Sequence, residues 1–594
     1  MKAYLKKKFS TLYFFYQFLG YRIVLLLLFS FFMVLMDSLG MTLFIPLLQV
    51  ADNTEVGAGS DNTAKVVQDL FQFLHMEVSV MNMLILIVVL FILKGIFFYY
   101  LTNFIGITQQ RFSKAIRERL AIGLSDLSYK EFVSTDIGRM QNSLTGESWQ
   151  VVYASSQYLE SIKNGFFIIS YLGFAFFLDW KFSILVVIGG GLSNFIYQAF
   201  YKKTQDLSRD ITKNNHRYGG IVIEVINHFK YMKATGRNTI FFNRLRKELT
   251  SLIKNNISVV VITSRLSALR EPMTIAVIAG AIAVHVLIFK SPLSAVMIIL
   301  LFFYRAMQKI IDLQINWNNY LSNIGTVENI ISFQEYLDQH KENLGGAQTF
   351  DSINQISLQN ITLSYGDHQV LKDINLQLSK NESIAFVGES GSGKTSLVNL
   401  ICTLIPANTG AYTVNGVDIG QVSINDFRSK IGYISQEATV FNASIFENVT
   451  FWDEKNEHTL AKFNKVIDMC SLRSFLTNLP DHEETLLGNN GLNVSGGQKQ
   501  RISIARELYR DVEILIMDEA TSALDSETEA EIKKSIDSLH GQVTIISIAH
   551  RLSTIQHVDT IYLMENGKIA AFGDFEELKN RSNYFKKLTE LQGM

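Results

Sequence analysis

The feature that most constrains this chain is a glycine-rich stretch at residues 388–395, which read Gly-Glu-Ser-Gly-Ser-Gly-Lys-Thr. The apolar run Ser383–Val387 precedes it and predicts a buried strand, and Ser396–Ile401 follows it and predicts a helix. In that context the glycines let backbone N–H groups point inward and bind phosphate at a helix N-terminus. The spacing predicts a nucleotide site in which Lys394 binds the β- and γ-phosphates and Thr395 binds Mg²⁺. The simpler alternative is a glycine-rich turn.

Further motifs follow in an order that argues against a simple turn. The apolar run Ile514–Met517 predicts a second strand, and it ends in Asp518 and Glu519. An acidic residue at the end of a buried strand beside a phosphate-binding loop suits a Mg²⁺ ligand, so we assign Asp518 to that role. Glu519 is then placed to polarise an attacking water. Between the loop and this strand lies Asn493–Gln498, which reads Asn-Val-Ser-Gly-Gly-Gln.

Together these motifs make residues 351–594 resemble the nucleotide-binding domain of an ABC transporter. Val494–Gln498 resembles the signature loop of that family, although it begins with valine where leucine is usual. The resemblance implies ATP and Mg²⁺ as cofactors, with Tyr365 stacked on adenine. The catalytic residues that it implies are Glu519, Gln436 and the switch histidine His550. The residues that it implies for nucleotide binding are Tyr365, Gly388, Glu389, Ser390, Gly391, Ser392, Gly393, Lys394, Thr395, Ser396, Ser495, Gly496, Gly497, Gln498 and Asp525. Those that it implies for Mg²⁺ are Thr395, Gln436 and Asp518.

The first half of the chain is predicted to cross a membrane. The 594-residue chain is 48% hydrophobic and 18% charged, against roughly 25% charged residues in soluble domains. Apolar stretches close to the ~20 residues needed to cross a bilayer core recur before residue 320. The predicted spans are residues 21–46, 81–105, 158–178, 182–200, 272–289 and 293–313.

These spans and the motifs predict the fold class. We expect an α-helical membrane domain with six spans and long cytosolic helical extensions, followed by an α/β P-loop ATPase domain. The predicted boundaries are residues 1–321 for the membrane domain, 322–350 for a connecting segment and 351–594 for the nucleotide-binding domain.

Charge along the first half predicts its orientation. Segment 47–80 carries one lysine and five acidic residues, whereas segment 201–270 is rich in Lys and Arg. Because positive residues stay on the cytosolic side, the N-terminus and the ATPase domain of this multi-pass protein are predicted to be cytosolic. The short, compact layout, which resembles a half-transporter, implies a bacterial inner membrane. Resemblance to ABC exporters implies helical extensions whose tips, near Val133–Met140 and Gly219–Tyr231, touch the ATPase domains. Solvated hairpins are the alternative.

A dimer is implied by the same resemblance. One chain holds one phosphate-binding loop and one signature loop, and in the ABC family these face different ATP molecules. A homodimer is the simplest form because both half-sites look complete. Asn489 departs from the family, where glutamate is common, in a stretch resembling the loop that contacts the partner's helical tips. The two cysteines, Cys402 and Cys470, give no disulfide framework, and a net charge of −1 gives no reason to expect nucleic-acid binding.

Four charged side chains lie well inside the predicted spans, namely Asp37, Lys94, Arg305 and Lys309. Charge at membrane depth is costly and usually faces a polar cavity or a partner. Three cations against one acid predict a cationic interior that binds an anionic head group. The alternative is structural, with Asp37 paired to Lys94 and Lys309 extended toward the cytosolic edge.

The predicted function is ATP-driven export or flipping of an amphipathic substrate. The run Asp37–Pro46 has a short resemblance to the entry segment of bacterial exporters that flip lipid-linked saccharides, which favours a lipid or lipid-linked oligosaccharide. An exporter of hydrophobic drugs or peptides is the alternative. The spans argue against a soluble ABC ATPase, and the intact Glu519 and His550 argue against an ATP-gated channel or regulator. Importers of the family usually keep the membrane and ATPase parts on separate chains, so the fused order of this chain argues against an importer.

Overall fold

The chain forms two compact units in a computed structural model. The first comprises Met1–Leu127 with Glu131–Lys341, and the second comprises Ser128–Lys130 with Glu342–Met594. The main division therefore falls inside the predicted connecting segment. The structure describes residues 10–43, 71–73, 75, 77, 79–178, 180–287, 293–488, 491, 493–519, 526–549 and 551–591.

Long helices build the first unit because its apolar stretches are extended and contain few helix-breaking residues. The helices before residue 341 are α1 (Ser10–Leu19), α2 (Arg22–Thr42), α3 (Val80–Ser125), α4 (Tyr129–Ser134), α5 (Ile137–Asn142), α6 (Ser148–Leu178), α7 (Trp180–Asn227), α8 (Phe229–Ala234), α9 (Asn238–Leu287), α10 (Leu293–Leu321) and α11 (Ile324–Gln339). A π-helical turn, Ser143–Glu147, joins α5 to α6. The six predicted spans overlap α2, α3, α6, α7, α9 and α10 in that order.

Helix length and composition support a membrane-spanning unit without fixing the number of spans. Within the described ranges, two helices are long and apolar enough to cross a bilayer, Val80–Ser125 and Asn238–Val284. A third crossing is added if Tyr13–Leu19 and Arg22–Asp37, which are bent by 92° at their junction, form one span. The count of six spans therefore stays a prediction.

Short helices interrupt the long ones at both predicted tips. The turn between α4 and α5 contains Asp136, whose carboxylate accepts a hydrogen bond from the backbone N–H of Arg139 at 2.8 Å. This contact caps the N-terminus of α5. At the other tip, α7 ends at Asn227 and α8 begins at Phe229. The long helices and their turns are thus present, and their contact with ATPase domains stays a prediction.

The second unit is an α/β fold with two sheets. Its strands are β1 (Gln355–Tyr365), β2 (His368–Ser379), β3 (Ser383–Gly388), β4 (Thr409–Val414), β5 (Val417–Asp418), β6 (Ile431–Ile434), β7 (Ile514–Asp518), β8 (Thr544–Ile548), β9 (Thr560–Glu565) and β10 (Lys568–Gly573). One sheet has the order β2-β1-β4-β5, and the other has the order β10-β9-β3-β8-β7-β6.

The helices of the second unit lie between or after its strands along the chain, as is typical of α/β folds. They are α12 (Lys394–Ile401), α13 (Ile424–Ser429), α14 (Ile445–Thr450), α15 (Glu457–Met469), α16 (Arg473–Thr477), α17 (Gly496–Tyr509), α18 (Ser526–Asp537), α19 (Phe575–Arg581) and α20 (Asn583–Leu591). The predicted succession of a helical domain and an α/β domain is therefore confirmed.

The larger sheet places the predicted site residues at one edge. Strands β3, β8 and β7 are neighbours and run parallel, and every residue of β8 is buried. Such continuous apolar strands are expected where a parallel sheet is covered on both faces. Strand β3 ends at Gly388 and β7 ends at Asp518. Because ligands of open parallel sheets bind outside the carboxyl ends of the strands, this edge is the candidate site.

Candidate functional site

The phosphate-binding loop runs from the end of β3 to the start of α12. Gly393 precedes the helix with φ +103°, a left-handed conformation that favours glycine. Lys394 is buried, and its ammonium donates hydrogen bonds to the carbonyl oxygens of Gly388 and Glu389, each at 2.9 Å. The lysine therefore folds back over its own loop, in the place where phosphate oxygens would be bound.

Electrostatics around Lys394 favour an anionic ligand. Burial lowers the pKa of Lys394, and the nearby carboxylates of Glu519 and Asp518 oppose that shift. A partly desolvated ammonium interacts more strongly with an anion than a hydrated one, because the local dielectric constant is lower. Lys394 therefore offers an anion a partly desolvated positive charge, and two carboxylates lie close enough to act on it.

Gly388 is required by the packing of the loop against its neighbour strand. A Cβ atom at this position would lie 2.2 Å from the carbonyl oxygen of Met564, a backbone atom on β9. Its φ of +156° also disfavours larger residues. The glycine at this place in the motif is therefore fixed by sterics.

A cleft of about 490 Å³ opens beside the loop. It brings together many of the residues predicted for nucleotide binding with two apolar residues, Val370 and Ile548, that the sequence did not single out. Tyr365, at the end of β1, is 39% exposed and lies on the wall of this cleft. The lining residues are Tyr365, Val370, Ser390, Gly391, Gly393, Lys394, Thr395, Ser396, Gln436, Glu519 and Ile548.

The acidic side of the site lies at the end of β7. Asp518 is buried, and Glu519 has φ +50°, an uncommon conformation for a residue with a side chain. The backbone N–H of Glu519 donates to the carbonyl oxygen of Ile548 at 3.2 Å. The amide of Gln436 donates to the Glu519 carboxylate at 2.8 Å. Backbone strain of this kind concentrates at functional sites.

Tyr433 is a site residue that the sequence reasoning missed. It lies on β6, and its hydroxyl donates a hydrogen bond to Oδ2 of Asp518 at 3.2 Å. Burial and the charge of Asp518 raise the pKa of Tyr433, so its hydroxyl remains a donor at neutral pH. The available signal was its place three residues before Gln436.

The signature loop begins α17 and lies outside the lining of the cleft. Ser495 caps that helix: its hydroxyl accepts from the N–H of Gln498 at 3.3 Å, and its own N–H donates to the Gln498 side chain at 2.8 Å. Ser495 and Gly496 are exposed. The predicted Asp525 and His550, and the divergent Asn489, lie outside the described residues.

The donors predicted for Mg²⁺ have suitable chemistry. They are the hydroxyl of Thr395, the amide of Gln436 and the carboxylate of Asp518, all of which offer oxygen ligands. Mg²⁺ prefers oxygen ligands, and it usually takes one or two carboxylates with phosphate oxygens and water. Thr395 and Gln436 line the cleft itself. The residues present therefore fit a magnesium–nucleotide complex.

The charged residues predicted inside the membrane are mostly paired. Asp37 is buried, and it forms an ion pair with Lys94 and accepts a hydrogen bond from the Tyr171 hydroxyl. The structural alternative for this pair is thereby supported. Lys309 forms an ion pair at 2.9 Å with Asp312, an acid that the sequence reasoning did not consider.

Arg305 differs from the other predicted membrane cations. It lies on α10 and is exposed, and within the described part of the chain it has no acidic group at ion-pair distance. The predicted excess of positive charge is therefore reduced to this one guanidinium.

Both halves of the chain match known protein families. The model for the ABC transporter transmembrane region matches residues 21–310, and the ABC transporter model matches residues 371–522. The Heterocyst differentiation ATP-binding protein HepA of Nostoc sp. is 30% identical over 520 residues, covering 84% of this chain and 82% of that protein. An ATP-dependent lipid A-core flippase of Desulfotalea psychrophila is 28% identical over 547 residues, covering 90% and 95%.

A solved structure shares the fold. A bacterial Atm1-family ABC exporter with ATP bound superposes with a TM-score of 0.79 at 21% identity, covering 97% of this chain and 99% of that one. Both the motif-based resemblance and the fused arrangement of membrane and ATPase parts are thus confirmed. The chain belongs to the ABC transporter family and is an ATP-hydrolysing membrane transporter.

Proposed function

We propose that two copies of this chain form an exporter of a bacterial inner membrane that uses ATP to flip an amphipathic lipid with an anionic head group. A lipid or lipid-linked oligosaccharide is the substrate class that we favour. The observation that carries the substrate assignment is Arg305, an exposed guanidinium inside a predicted span without an acidic partner in the described chain. Arginine binds phosphate groups through two parallel hydrogen bonds.

In the ATP site, each residue has a role that follows from its position. Tyr365 stacks on adenine, and the backbone of residues 388–395 binds the phosphates together with Lys394. Thr395, Gln436 and Asp518 hold Mg²⁺, which supplies charge neutralisation to the phosphates when bound. The two 2.9 Å contacts to its own loop occupy two of the three N–H donors of the Lys394 ammonium, which leaves one donor for a phosphate oxygen.

Hydrolysis depends on Glu519. Its carboxylate orients the attacking water, and the switch residue His550 contacts the γ-phosphate. The hydrogen bond from Gln436 to Glu519 ties the two side chains together at 2.8 Å. This bond uses the amide N–H of Gln436, so the amide oxygen of that residue can still ligate Mg²⁺. The Glu519 carboxylate accepts more than one hydrogen bond and can therefore accept from a water as well.

The dimer is supported by the composition of the cleft. Its lining includes the phosphate-binding loop, but none of the signature residues Ser495–Gln498. The exposed N-terminus of α17 presents backbone N–H groups that suit a γ-phosphate. We infer that the signature loop of one copy completes the site of the other, so that ATP binds the two copies together.

Transport follows from unequal binding. A nucleotide can shift the equilibrium between the two conformations of the membrane part only by the difference between its binding free energies for them. ATP favours the conformation with two closed sites because it contacts both copies there. Hydrolysis removes the contact to the γ-phosphate, so the closed state loses its advantage. The substrate is bound in one conformation and released in the other.

The substrate is tested by ATPase measurements on the purified protein in lipid nanodiscs. Candidate compounds are polyprenyl-pyrophosphate saccharides, anionic glycolipids, neutral hydrophobic drugs and peptides. We expect stimulation by the anionic lipids, lost in Arg305→Ala and kept in the control Arg265→Ala, an exposed arginine of α9 outside the predicted spans. Stimulation only by neutral compounds or peptides, equal in both variants, would refute the anionic-lipid proposal and favour a drug or peptide exporter.

The composite site is tested by mixing two inactive variants. Lys394→Ala removes the phosphate-binding lysine, and Ser495→Arg blocks the signature loop. If each site combines both copies, co-expression gives a mixed dimer with one intact site, and ATPase activity returns. If each copy holds a complete site, the mixture stays inactive, because each copy carries one of the two defects.

A further inference from the structure

The side chains of Tyr433 and Asp518 lie on one face of the larger sheet. Strands β6 and β7 pair in parallel with Tyr433 opposite Ile516. Neighbours across a sheet point to the same face, and so do alternate residues along a strand. Asp518 is two residues beyond Ile516, so its carboxylate is diagonal to the tyrosine. The Tyr433 side chain is long enough to span this diagonal distance, and its hydroxyl donates to Oδ2 of Asp518 at 3.2 Å.

The strand that carries Tyr433 is held from its outer edge by Arg510, the residue that follows α17. The guanidinium of Arg510 donates to the carbonyl oxygens of Ile431 at 3.3 Å and Ser429 at 3.2 Å. Arg510 also pairs with the buried Glu507 at 3.1 Å, and Glu507 takes a backbone hydrogen bond from Tyr433. Edge strands otherwise leave such groups unpaired. The tyrosine therefore projects from a fixed backbone.

We propose that Tyr433 is a positioning residue that holds Asp518 in the orientation needed to ligate the Mg²⁺ of bound ATP. This inference rests on the proposed role of Asp518. A carboxylate can rotate about its Cβ–Cγ bond, and a hydrogen bond to one oxygen fixes that rotation. Outer partners of metal ligands typically change metal affinity by about 10–100-fold when they are removed. Tyr433 does not line the cleft, so we assign it a role that acts through Asp518.

The test measures ATP binding with and without Mg²⁺ in the full-length protein, using Tyr433→Phe. Phenylalanine keeps the ring and removes only the hydroxyl. The control is Tyr412→Phe on β4, a strand of the other sheet. It removes a buried hydroxyl that donates at 2.8 Å to the carbonyl oxygen of Ile401, the last residue of α12. In EDTA we expect both variants to bind ATP like the wild type. The gain in ATP affinity on adding Mg²⁺ should fall about tenfold in Tyr433→Phe alone.

Asp518→Asn separates this proposal from the proposed site. If Asp518→Asn keeps the full Mg²⁺ gain, the assignment of Asp518 as a metal ligand is wrong. If Asp518→Asn loses the gain while Tyr433→Phe keeps it, the positioning role alone is wrong. An equal loss in Tyr433→Phe and Tyr412→Phe would also overturn the proposal, since it would trace the effect to general loosening of the domain.

Discussion

The ion pair of Asp37 and Lys94 gives a quantitative test of how the membrane unit uses charge. Asp37 is 1% exposed and receives both the Lys94 ammonium and the Tyr171 hydroxyl. The Lys94 side chain is 23% exposed, so part of it reaches the surface of the unit. Removing one partner of a buried pair costs about 3–5 kcal/mol, because the remaining charge loses its counter-ion.

These exposures predict unequal effects of the two single variants. Lys94→Met leaves an enclosed carboxylate and should cost the full ~3–5 kcal/mol, or roughly 6–10 °C in melting midpoint at about 2 °C per kcal/mol. Asp37→Asn should cost less, because the ammonium that it leaves is closer to the surface. The double variant removes both charges, and it should regain more than half of the Lys94→Met loss, since neutral replacements of buried pairs are often tolerated.

The assay heats the detergent-solubilised full-length protein and measures the fraction that stays monodisperse on a sizing column. Lys309→Met is the matched control, because its partner Asp312 is 41% exposed and such pairs contribute at most about 1 kcal/mol. Strictly additive losses in the double variant, or a Lys94→Met protein as stable as the wild type, would show that the pair does not stabilise the unit.

Other predictions concern the ATPase domain. Glu519→Gln should keep ATP binding and reduce turnover at least about 100-fold in a phosphate-release assay; unchanged turnover would assign the base elsewhere. Gly388→Ala should weaken nucleotide binding at least fivefold in equilibrium titration, because overpacking costs about 1–3 kcal/mol. Gly391→Ala should have the smaller effect, because its Cβ would meet nothing within 4 Å and only the strain of its φ of +83° remains. Burial acts to raise the pKa of Glu513, but hydrogen bonds from Ile353, Lys430 and Ser352 outweigh it and lower the pKa. The stability from Glu513 is therefore complete above its ordinary pKa of about 4.3 and is lost as the pH falls through the lower folded-state pKa. The difference in melting midpoint between wild type and Glu513→Gln should accordingly be largest at neutral pH and vanish in acid; a difference independent of pH would contradict this.

The sequence predicted those parts of the site whose geometry is local. The phosphate-binding loop needs only a strand, a fixed spacing of glycines and a helix, and residues 388–395 contain that information themselves. The acidic pair Asp518 and Glu519 was identifiable because it directly follows a run of buried residues. Long apolar runs likewise predicted the helices of the membrane unit, since helix length is set by the run itself.

Contacts between distant segments could not be predicted in this way. Tyr433 and Asp518 meet because β6 is the neighbour of β7 in the sheet, and nothing in either segment specifies that order. The helix α11 shows a second limit. It falls in the predicted connecting segment, yet Val327, Ile330 and Leu337 are buried along it. Polar residues separate these apolar positions, so the sequence analysis did not recognise the segment as an amphipathic helix.

The number of cationic residues in the predicted spans overstates the positive charge that a substrate could meet. Lys94 and Arg305 are both cations inside predicted spans, and composition treats them alike. Lys94 is neutralised by Asp37, and Lys309 by Asp312, so neither offers a free charge to a ligand without first breaking an existing pair. Arg305 has no acidic group at ion-pair distance in the described chain, although its charge acts on Tyr171, the hydroxyl partner of Asp37. A dimer of identical chains would then supply one guanidinium from each copy, a charge that suits a diphosphate head group better than a neutral compound.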